Sequence, residues 1–352
     1  MGTRNLKPLL IDPQNLRFQA LIGTGGVGSG MFFALDGNRT LGREESRSGR
    51  FLDQKDYCKL HIISHYVKVL LGEEFPVIPV SKVGEDDVGR RLLGEISKAG
   101  LDTRFVQIDP GRPTMLSLCF LYPDGSGGNL TAANSACGQL DADFIKTAES
   151  AFERYSGRGL ALAVPEVPLS ARKMLLKRAK EHHFFTAASF TSGEILPALE
   201  MEMLPLVDLL AINLDEAAAF LTRTVTDENY EAIIDAAFNK LREINPALSV
   251  TITSGKRGSW ALDRQQVQFA PALLVQVVST AGAGDAFFAG LLSGITAGLP
   301  LPLAQELGTL VAACSVTSPH TIHPTLDRDS LAALVQEIRP HLSEQVMGLV
   351  GL

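Results

Sequence analysis

The feature that most constrains the fold is a regular alternation of short apolar runs with segments of helical length in residues 160–253. Four runs have the length of buried strands, namely LALAV, FFTAA, VDLLAI and SVTIT. Strands that alternate with helices of about 10 to 15 residues are typical of βαβ units. The sequence therefore predicts an α/β fold, with a central, mostly parallel sheet flanked by helices.

Two polar stretches interrupt this alternation and predict a small lid. The first, near residues 35–58, is rich in Gly, Arg and Glu, and a second polar stretch follows near residues 112–134. Segments of this kind suit exposed loops or edge strands. Because no internal repeat or low-complexity linker is visible, we expect one α/β domain over residues 1–352, with a small β-rich lid formed by these two segments.

Composition and charge exclude several classes of protein. The chain of 352 residues is 45% hydrophobic, which is enough to bury a core and argues against extensive disorder. Its net charge of -7 lacks the basic surface needed to bind a nucleic acid polymer. The four cysteines are far apart and form no CxxC pair, which argues against a disulfide framework or a zinc site. No apolar run approaches the roughly 18 residues of a membrane span and no leader pattern is visible, so we expect a cytoplasmic protein with no membrane partner.

The strongest chemical signal is a turn of small residues that opens into a long apolar helix, VSTAGAGDAFFAGLL at residues 278–292. Gly282, Ala283 and Gly284 leave backbone N–H groups uncovered at the helix N-terminus, where an anion such as a phosphate is favoured. Asp285 lies in the same first turn, where a carboxylate can take the proton of an attacking hydroxyl group. A simpler interpretation stays open, in which Asp285 only favours the helix dipole and the glycines only allow close packing.

A glycine-rich run, GTGGVGSG at residues 23–30, follows the first apolar segment. Its spacing matches the GxGxxG dinucleotide fingerprint, so an NAD-dependent oxidoreductase is an alternative. That fingerprint also needs a helix at its third glycine, Gly28, and an acidic residue at the end of a second strand about 20 positions further on. Glu44 and Glu45 have this distance but lie in a polar stretch. A close approach of the backbone to substrate explains the glycines better, which makes Gly26 and Gly28 candidate substrate-binding positions.

Several motifs, in order along the chain, resemble those of the ribokinase-like (PfkB) carbohydrate and nucleoside kinases. Residues 279–292 fit the C-terminal Gly-Ala-Gly-Asp signature of that family throughout. The other similar motifs are KVGEDDVG, AGLDT, PT, NLDEA and TSGKRG, at residues 82–89, 99–103, 113–114, 213–217 and 253–258. The resemblance implies a ribokinase-like fold and an ATP-dependent phosphotransferase, which uses Mg²⁺ and moves the γ-phosphoryl group to a hydroxyl of a sugar or sugar-like molecule.

The resemblance also implies roles for individual residues. Asp285 would act as the general base, and the Gly-Ala-Gly turn before it would form the anion hole. Asn213 and Glu216 would bind Mg²⁺ through water, in a reaction that depends mostly on alignment and charge neutralisation. The residues expected to border the nucleotide are Thr253, Gly255, Gly258, Asn213, Glu216 and His320.

The expected substrate end departs from the family pattern. Gly28 stands where the family has an Asp that binds sugar hydroxyls, and Lys59 lies in a segment that replaces the usual Gly-Gly-x-x-x-Asn. Glu166 matches a family Glu-x-Pro that can face the substrate, although a solvated carboxylate at a strand end is equally compatible. Arg47 and Lys59 suit an anionic group on the acceptor, but the lid arginines can also form a solvated surface. The expected substrate-binding residues are Gly26, Gly28, Lys59, Arg47 and Glu166.

Two further expectations concern activity and assembly. The missing Asp at Gly28 leaves open a binding or regulatory protein that retains the ribokinase fold without turnover, whereas the intact Gly-Ala-Gly-Asp favours an active kinase. Beside the small-molecule substrate, a second copy of the chain is the partner we consider, in a homodimer formed through the lid.

Overall fold

The computed structural model describes residues 6–124, 127–264 and 266–352 of the chain. Residues 125 and 126, which belong to the second expected lid segment, lie outside the described residues, as do residues 1–5 and 265. The strands are Ala20–Thr24 (β1), Gly28–Leu35 (β2), Gly49–Tyr57 (β3), Val77–Gly84 (β4), Val106–Asp109 (β5), Met115–Leu121 (β6), Gly127–Thr131 (β7), Gly159–Ala163 (β8), Phe185–Ala188 (β9), Leu209–Asn213 (β10), Ser249–Thr253 (β11), Ser259–Asp263 (β12) and Gln266–Ala270 (β13). The helices are Lys59–Leu71 (α1), Asp87–Lys98 (α2), Ala142–Ile145 (α3), Glu149–Arg154 (α4), Leu169–Glu181 (α5), Ile195–Glu200 (α6), Leu214–Phe220 (α7), Tyr230–Ile244 (α8), Ala283–Thr296 (α9), Leu301–Ser315 (α10), Arg328–Ile338 (α11) and Glu344–Val350 (α12). Within the described ranges, none of these helices combines the length and the apolar character needed to cross a bilayer.

The described residues form a main sheet with the strand order β13-β12-β11-β10-β9-β8-β1-β4-β5. The strands from β11 to β5 in this order pair in parallel, and β12 and β13 continue the sheet with antiparallel pairing at one edge. Strands β1 and β8 are buried along their whole length, as expected for strands covered by helices on both faces. The prediction of a mostly parallel central sheet flanked by helices is confirmed.

Helix α9 lies in the core beside α10. Residues 286–296 of α9 are all buried. A Cβ atom at Gly290 would lie only 2.8 Å from the Gly308 Cα atom and 2.9 Å from the Val311 Cγ2 atom, so the two helices approach each other backbone to backbone. Dense packing of this kind holds α9, and with it the turn that precedes α9, in one position.

A second, smaller sheet has the strand order β3-β2-β6-β7 in the described part of the chain. Strand β2 pairs antiparallel with β3 and parallel with β6, and β6 pairs antiparallel with β7. The sheet begins at Gly28, before the polar stretch that starts near residue 35, because the glycine-rich run leads from β1 straight into β2. Gly28, Gly30 and Phe32 are buried while Met31 is exposed, so one face of the sheet is turned toward the protein.

Asp86 connects the small sheet to the main body. Its Oδ1 atom accepts hydrogen bonds from the Gly89 N–H and the Thr114 hydroxyl, and its Oδ2 atom accepts one from the Thr114 N–H, each at 2.7 Å. Asp86 caps the start of α2 in this way and fixes the chain just before β6. The motifs at residues 82–89 and 113–114 therefore have a structural role at this junction.

Candidate active site

The turn before α9 forms one wall of the candidate site. Gly282 is the N-cap of α9 and has a left-handed conformation with a φ of 79°, and a Cβ atom there would lie 2.9 Å from the Thr321 carbonyl oxygen. A Cβ atom at Gly284 would meet open space. The Ala283 N–H donates to the Thr280 carbonyl at 3.2 Å, so that donor is already engaged. Gly282 and Gly284 therefore lie at the cleft with the positive end of the helix dipole, whereas Ala283 does not leave its N–H uncovered as the sequence predicts.

Asp285 and Lys59 face each other in the first turns of α9 and α1. The Lys59 Nζ atom lies 3.3 Å from the Asp285 Oδ1 atom. The Asp285 carboxylate raises the pKa of Lys59 above its ordinary value, in spite of the opposing effect of burial, and Glu166 and Glu216 add to the increase. Lys59 therefore carries a positive charge at any physiological pH.

A cleft of about 190 Å³ opens beside this ion pair. Six of the residues expected at the catalytic and nucleotide ends of the site line the cleft, namely Asn213, Glu216, Thr253, Gly282, Gly284 and Asp285. Lys59, which the sequence assigns to the substrate end, lines it as well. Asn213 and Thr253 are the last residues of β10 and β11 and are partners in the sheet register. The cleft therefore lies at the carboxyl ends of parallel strands, where open α/β sheets bind ligands.

Asn213 and Glu216 hold each other in place at the start of α7. The Asn213 Oδ1 atom accepts a hydrogen bond from the Glu216 N–H, and the Glu216 Oε2 atom accepts one from the Asn213 N–H, both at 2.8 Å. This reciprocal pair is a capping box. Burial raises the pKa of Glu216 to about 7, while the Asn213 N–H and the charge of Lys59 oppose the increase. The Glu216 carboxylate is thus fixed at the edge of the cleft.

The turn after β11 borders the cleft next to Thr253. Gly255 and Gly258 lie in this turn, which joins β11 to β12. The Ser254 N–H donates to the Gly258 carbonyl at 2.8 Å and closes the turn. The structure therefore places Thr253 in the cleft wall and the two glycines directly behind it.

Glu166 lies close to Lys59 as well. Its Oε2 atom accepts a hydrogen bond from the Lys59 backbone N–H at 2.9 Å, at the N-terminus of α1. Glu166 has a φ of 77°, a conformation that is uncommon for a residue with a side chain and that the surrounding structure must enforce. Burial raises the pKa of Glu166 to about 7, and the charge of Lys59 partly offsets the increase. Glu166 is therefore held against α1 and is not a freely solvated carboxylate.

Comparison with known proteins identifies the family. Residues 67–328 match the pfkB family carbohydrate kinases. This chain belongs to that family. The ribokinase of Haemophilus influenzae is 23% identical to the kinase over 239 residues, which are 68% of this chain and 74% of that protein. The 2-dehydro-3-deoxygluconokinase of Bacillus subtilis is 27% identical over 308 residues, which are 81% of this chain and 92% of that protein.

Solved structures have the same fold as the kinase. The ribokinase from Cryptococcus neoformans var. grubii serotype A, in complex with ADP, has a TM-score of 0.73 and 18% identity and covers 91% of this chain and 99% of that chain. The ribokinase from Giardia lamblia has a TM-score of 0.74 and 16% identity, with the same coverage of 91% and 99%. The expected ribokinase-like fold and the assignment to the carbohydrate kinases are confirmed.

The oxidoreductase alternative is wrong. The dinucleotide fingerprint requires a helix that opens at Gly28, but Gly28 is the first residue of β2. Glu44 and Glu45 lie in the loop between β2 and β3, and not at the end of a second strand of the main sheet. The glycine-rich run leads from β1 into β2 of the small sheet and does not open a helix.

Two residues that the sequence predicts in the site have partners elsewhere. The Arg47 Nε and Nη2 atoms donate to Glu45 Oε1 at 3.2 and 2.6 Å, and the Arg47 Nη1 atom donates to the Arg39 carbonyl. The His320 Nδ1 atom accepts a hydrogen bond from the Lys55 N–H on β3 at 3.0 Å. A nearby glutamate thus engages the Arg47 guanidinium within the loop, and His320 connects the body to the small sheet. Neither residue is among those that line the cleft.

Thr321 is a residue beside the site that the sequence did not single out. Its hydroxyl accepts a hydrogen bond from the Tyr57 N–H at 3.1 Å, and its carbonyl accepts one from the Tyr66 hydroxyl at 3.2 Å. The same carbonyl packs against Gly282. Thr321 therefore joins the end of β3 to the turn before α9, a long-range contact for which its position next to His320 was the only signal.

Proposed function

We propose that this kinase transfers the γ-phosphoryl group of ATP to a hydroxyl of a sugar or sugar-like acceptor, with Asp285 as the general base. The observation that carries the proposal is the position of Asp285 in the first turn of α9, next to the glycine turn at residues 282–284 and 3.3 Å from the Lys59 Nζ atom. A carboxylate at that point can take the hydroxyl proton where the helix N-terminus attracts phosphoryl charge.

The reaction then needs few chemical groups. The acceptor oxygen forms a bond to the γ-phosphorus while its proton passes to the Asp285 carboxylate. The bond between the γ-phosphorus and the bridging oxygen breaks, and the electron pair leaves with ADP. The Lys59 ammonium, fixed by its ion pair with Asp285, supplies positive charge beside the transferred group.

The nucleotide and Mg²⁺ suit the edge where β10 and β11 end. The solved Cryptococcus ribokinase is a complex with ADP, which supports the use of an adenine nucleotide here. Asn213 and Glu216 offer oxygen atoms at the cleft, and the partly buried Glu216 carboxylate lies in an environment that a cation would stabilise. Mg²⁺ prefers oxygen ligands and keeps several waters, so it is usually held by one or two carboxylates together with phosphates. When bound, Mg²⁺ supplies charge that neutralises the phosphate oxygens.

The test compares Asp285→Asn with a matched control, Asp87→Asn, on a panel of sugars, polyols, nucleosides and sugar acids. Asp87 also lies in the first turn of a helix, but its side chain is 99% exposed and it is not one of the residues that line the cleft. We expect Asp285→Asn to lower kcat by about 10²- to 10⁴-fold, because proton transfer is lost. Binding of ADP, measured by calorimetry, should stay within about twofold of wild type, since only a proton acceptor is removed.

Two results would contradict this proposal in different ways. If Asp285→Asn and Asp87→Asn have the same kcat, Asp285 is not the general base. Intact ATP binding without turnover of any acceptor by the wild-type protein would instead favour the binding or regulatory alternative.

A further inference from the structure

Three alternate glycines in residues 26–30 form a strip of backbone that carries no side chains of its own, beside the site. The position that each Cβ atom would occupy is already taken by a side chain from elsewhere in the chain. The pairs are Gly26 with Glu166, Gly28 with Cys58, and Gly30 with Asp56. Glu166 belongs to the site because it accepts a hydrogen bond from the Lys59 backbone N–H. Asp56 is a second carboxylate on the same strip, and the proposed reaction does not use it.

Asp56 lies on the face of the small sheet that is turned toward the protein. It is the register partner of Gly30 across β2 and β3, and Gly30 is the partner of Ser117 on β6. The Ser117 hydroxyl donates to the Asp56 Oδ2 atom at 3.2 Å, and the Cys119 thiol donates to the same oxygen at 3.6 Å. Asp56 is only 9% exposed. Both of these partners are uncharged, so Asp56 is a buried carboxylate held by neutral donors.

A carboxylate in this setting is unfavourable for the free protein. Burial raises the pKa of Asp56 above its ordinary value, and the hydrogen bonds from Ser117 and Cys119 offset only part of the increase. An apolar or amide side chain would fill the space above Gly30 at lower cost. Groups that are kept at such a cost are often those that bind or react.

Asp56 is also close to the phosphoryl end of the site. The Thr321 carbonyl oxygen lies 2.9 Å from the Cβ position of Gly282, in the turn before α9. Tyr57, the residue after Asp56, donates its N–H to the Thr321 hydroxyl at 3.1 Å. Thr321 therefore connects the end of β3, next to Asp56, with the turn that would hold the transferred phosphoryl group.

We propose that Asp56 is a specificity-determining residue, which accepts hydrogen bonds from hydroxyl groups of the acceptor. This proposal rests on the proposed kinase function. A carboxylate can accept bonds from two neighbouring hydroxyls, as a sugar or polyol presents them. It disfavours an acceptor that brings a carboxylate or phosphate to the same place, and the Arg47 guanidinium that could hold such a group is engaged by Glu45. Asp56 thus selects neutral polyhydroxylated acceptors.

The first test compares Asp56→Asn with Asp53→Asn, using the neutral sugar or polyol that the wild-type protein phosphorylates best. Asp53 lies on the same strand but is exposed. We expect Asp56→Asn to raise the KM for the acceptor by about 10- to 100-fold, the usual effect of losing a hydrogen bond to a charged group. The KM for ATP should change little and the melting temperature should not fall, since an amide is easier to bury than a carboxylate, whereas a purely structural role would lower the melting temperature.

The second test pairs the variant with deoxy analogues of the same acceptor. Removal of the hydroxyl that Asp56 binds should lower kcat/KM at least about 10-fold in the wild-type protein and much less in Asp56→Asn. Ser117→Ala provides the same comparison if Asp56→Asn does not fold, because it removes a donor that orients the carboxylate and leaves the charge in place. Equal losses in the variant and the wild-type protein for every deoxy analogue would overturn the proposal.

Calorimetric binding of the acceptor panel separates this proposal from the kinase proposal. Phosphorylation that is unaffected by Asp56→Asn, or a wild-type preference for sugar acids, would overturn the role of Asp56 and leave the kinase function intact. Acceptor binding that depends on Asp56, without any phosphorylation, would support the role of Asp56 and overturn the kinase function. A wild-type protein that neither binds nor phosphorylates any member of the panel would overturn both.

Discussion

Among single residues, Lys59 sets the charge balance of the site. Three carboxylates, those of Asp285, Glu166 and Glu216, all raise its pKa. In return, the charge of Lys59 lowers the pKa of Glu166 and of Glu216 against the effect of burial. One ammonium group thereby stabilises the ionised forms of these two partly buried acids, in the place where the proposed reaction brings further negative charge.

We predict that Lys59→Met lowers kcat by about 100-fold, because a fixed positive charge beside the transferred phosphoryl group is lost. The matched control is Lys55→Met, since the Lys55 side chain is exposed on β3. Steady-state kinetics with a saturating acceptor measures the difference. If the two variants have the same kcat, Lys59 only holds the site together in the free protein.

Glu166 makes the stability of the ligand-free kinase depend on pH. Burial raises its pKa from an ordinary value of 4.5 to about 7. Below the lower value the carboxyl group is protonated in both the folded and unfolded states. Between the two values the unfolded chain loses its proton first, so the free energy of unfolding falls as the pH rises. Above the folded pKa both states are ionised and this contribution becomes constant.

We predict that Glu166→Gln makes the free energy of unfolding less dependent on pH across this range, because the titrating group is gone. Glu200→Gln is the control, since Glu200 is exposed at the end of α6. Urea unfolding of the ligand-free variants at intervals between pH 4.5 and about 7 measures the slope. If the free energy of unfolding depends on pH equally in Glu166→Gln and in the wild-type protein, Glu166 does not keep its proton in the folded state.

Among the elements, the close contact of α9 with α10 positions the catalytic turn. Gly290 faces Gly308 at the point of nearest approach, and a Cβ atom on Gly290 would meet backbone atoms that cannot rotate away. Dense packing transmits such a change along the helix. Asp285 lies little more than one turn from this contact, so its place in the cleft depends on the contact between the two helices.

We predict that Gly290→Ala lowers the free energy of unfolding by about 1 to 3 kcal/mol, the usual cost of overpacking a core. Gly94→Ala is the matched control, because Gly94 lies within α2 and a Cβ atom there would meet open space. It should raise the stability by about 0.5 to 1 kcal/mol, since alanine loses less backbone entropy than glycine in a helix. Chemical unfolding measures the free energy of unfolding of both variants. If Gly290→Ala and Gly94→Ala change it equally, α9 can shift to accept the added methyl group without loss of stability.

The elements also show how far the sequence could predict this kinase. Buried parallel strands such as β8 read as continuous apolar runs, and the turn before Asp285 has a specific pattern, so both were predicted correctly as elements. The small sheet was harder to predict from the sequence, because glycine-rich and polar strands have little hydrophobic periodicity and their register depends on tertiary contacts. The position of Asp56 over Gly30 follows only from that register, and the pairing of Arg47 with Glu45 only from the shape of the loop.

In the molecule as a whole, the small sheet has one face toward the site and one apolar face toward solvent. The register places Met31, Leu116, Phe51 and Leu130 opposite to the glycine face. Their exposed fractions are 40, 41, 63 and 63%. A sheet with one solvated face usually has polar residues there, and a contiguous exposed apolar patch of this kind indicates an interface.

We predict that a second copy of the chain covers this face, with two small sheets packed against each other about a twofold axis. Phe51→Lys combined with Leu130→Lys should shift the protein from dimer to monomer in sedimentation velocity, because each dimer would bury four added charges. Leu196→Lys is the control, since Leu196 is 49% exposed on α6, outside the small sheet. The opposite face of the same sheet carries Asp56, so the loss of the partner should also raise the KM for the acceptor more than the KM for ATP. A wild-type protein that stays monomeric at concentrations well above those of the kinetic assays would rule out this assembly, and the apolar face would then need another partner.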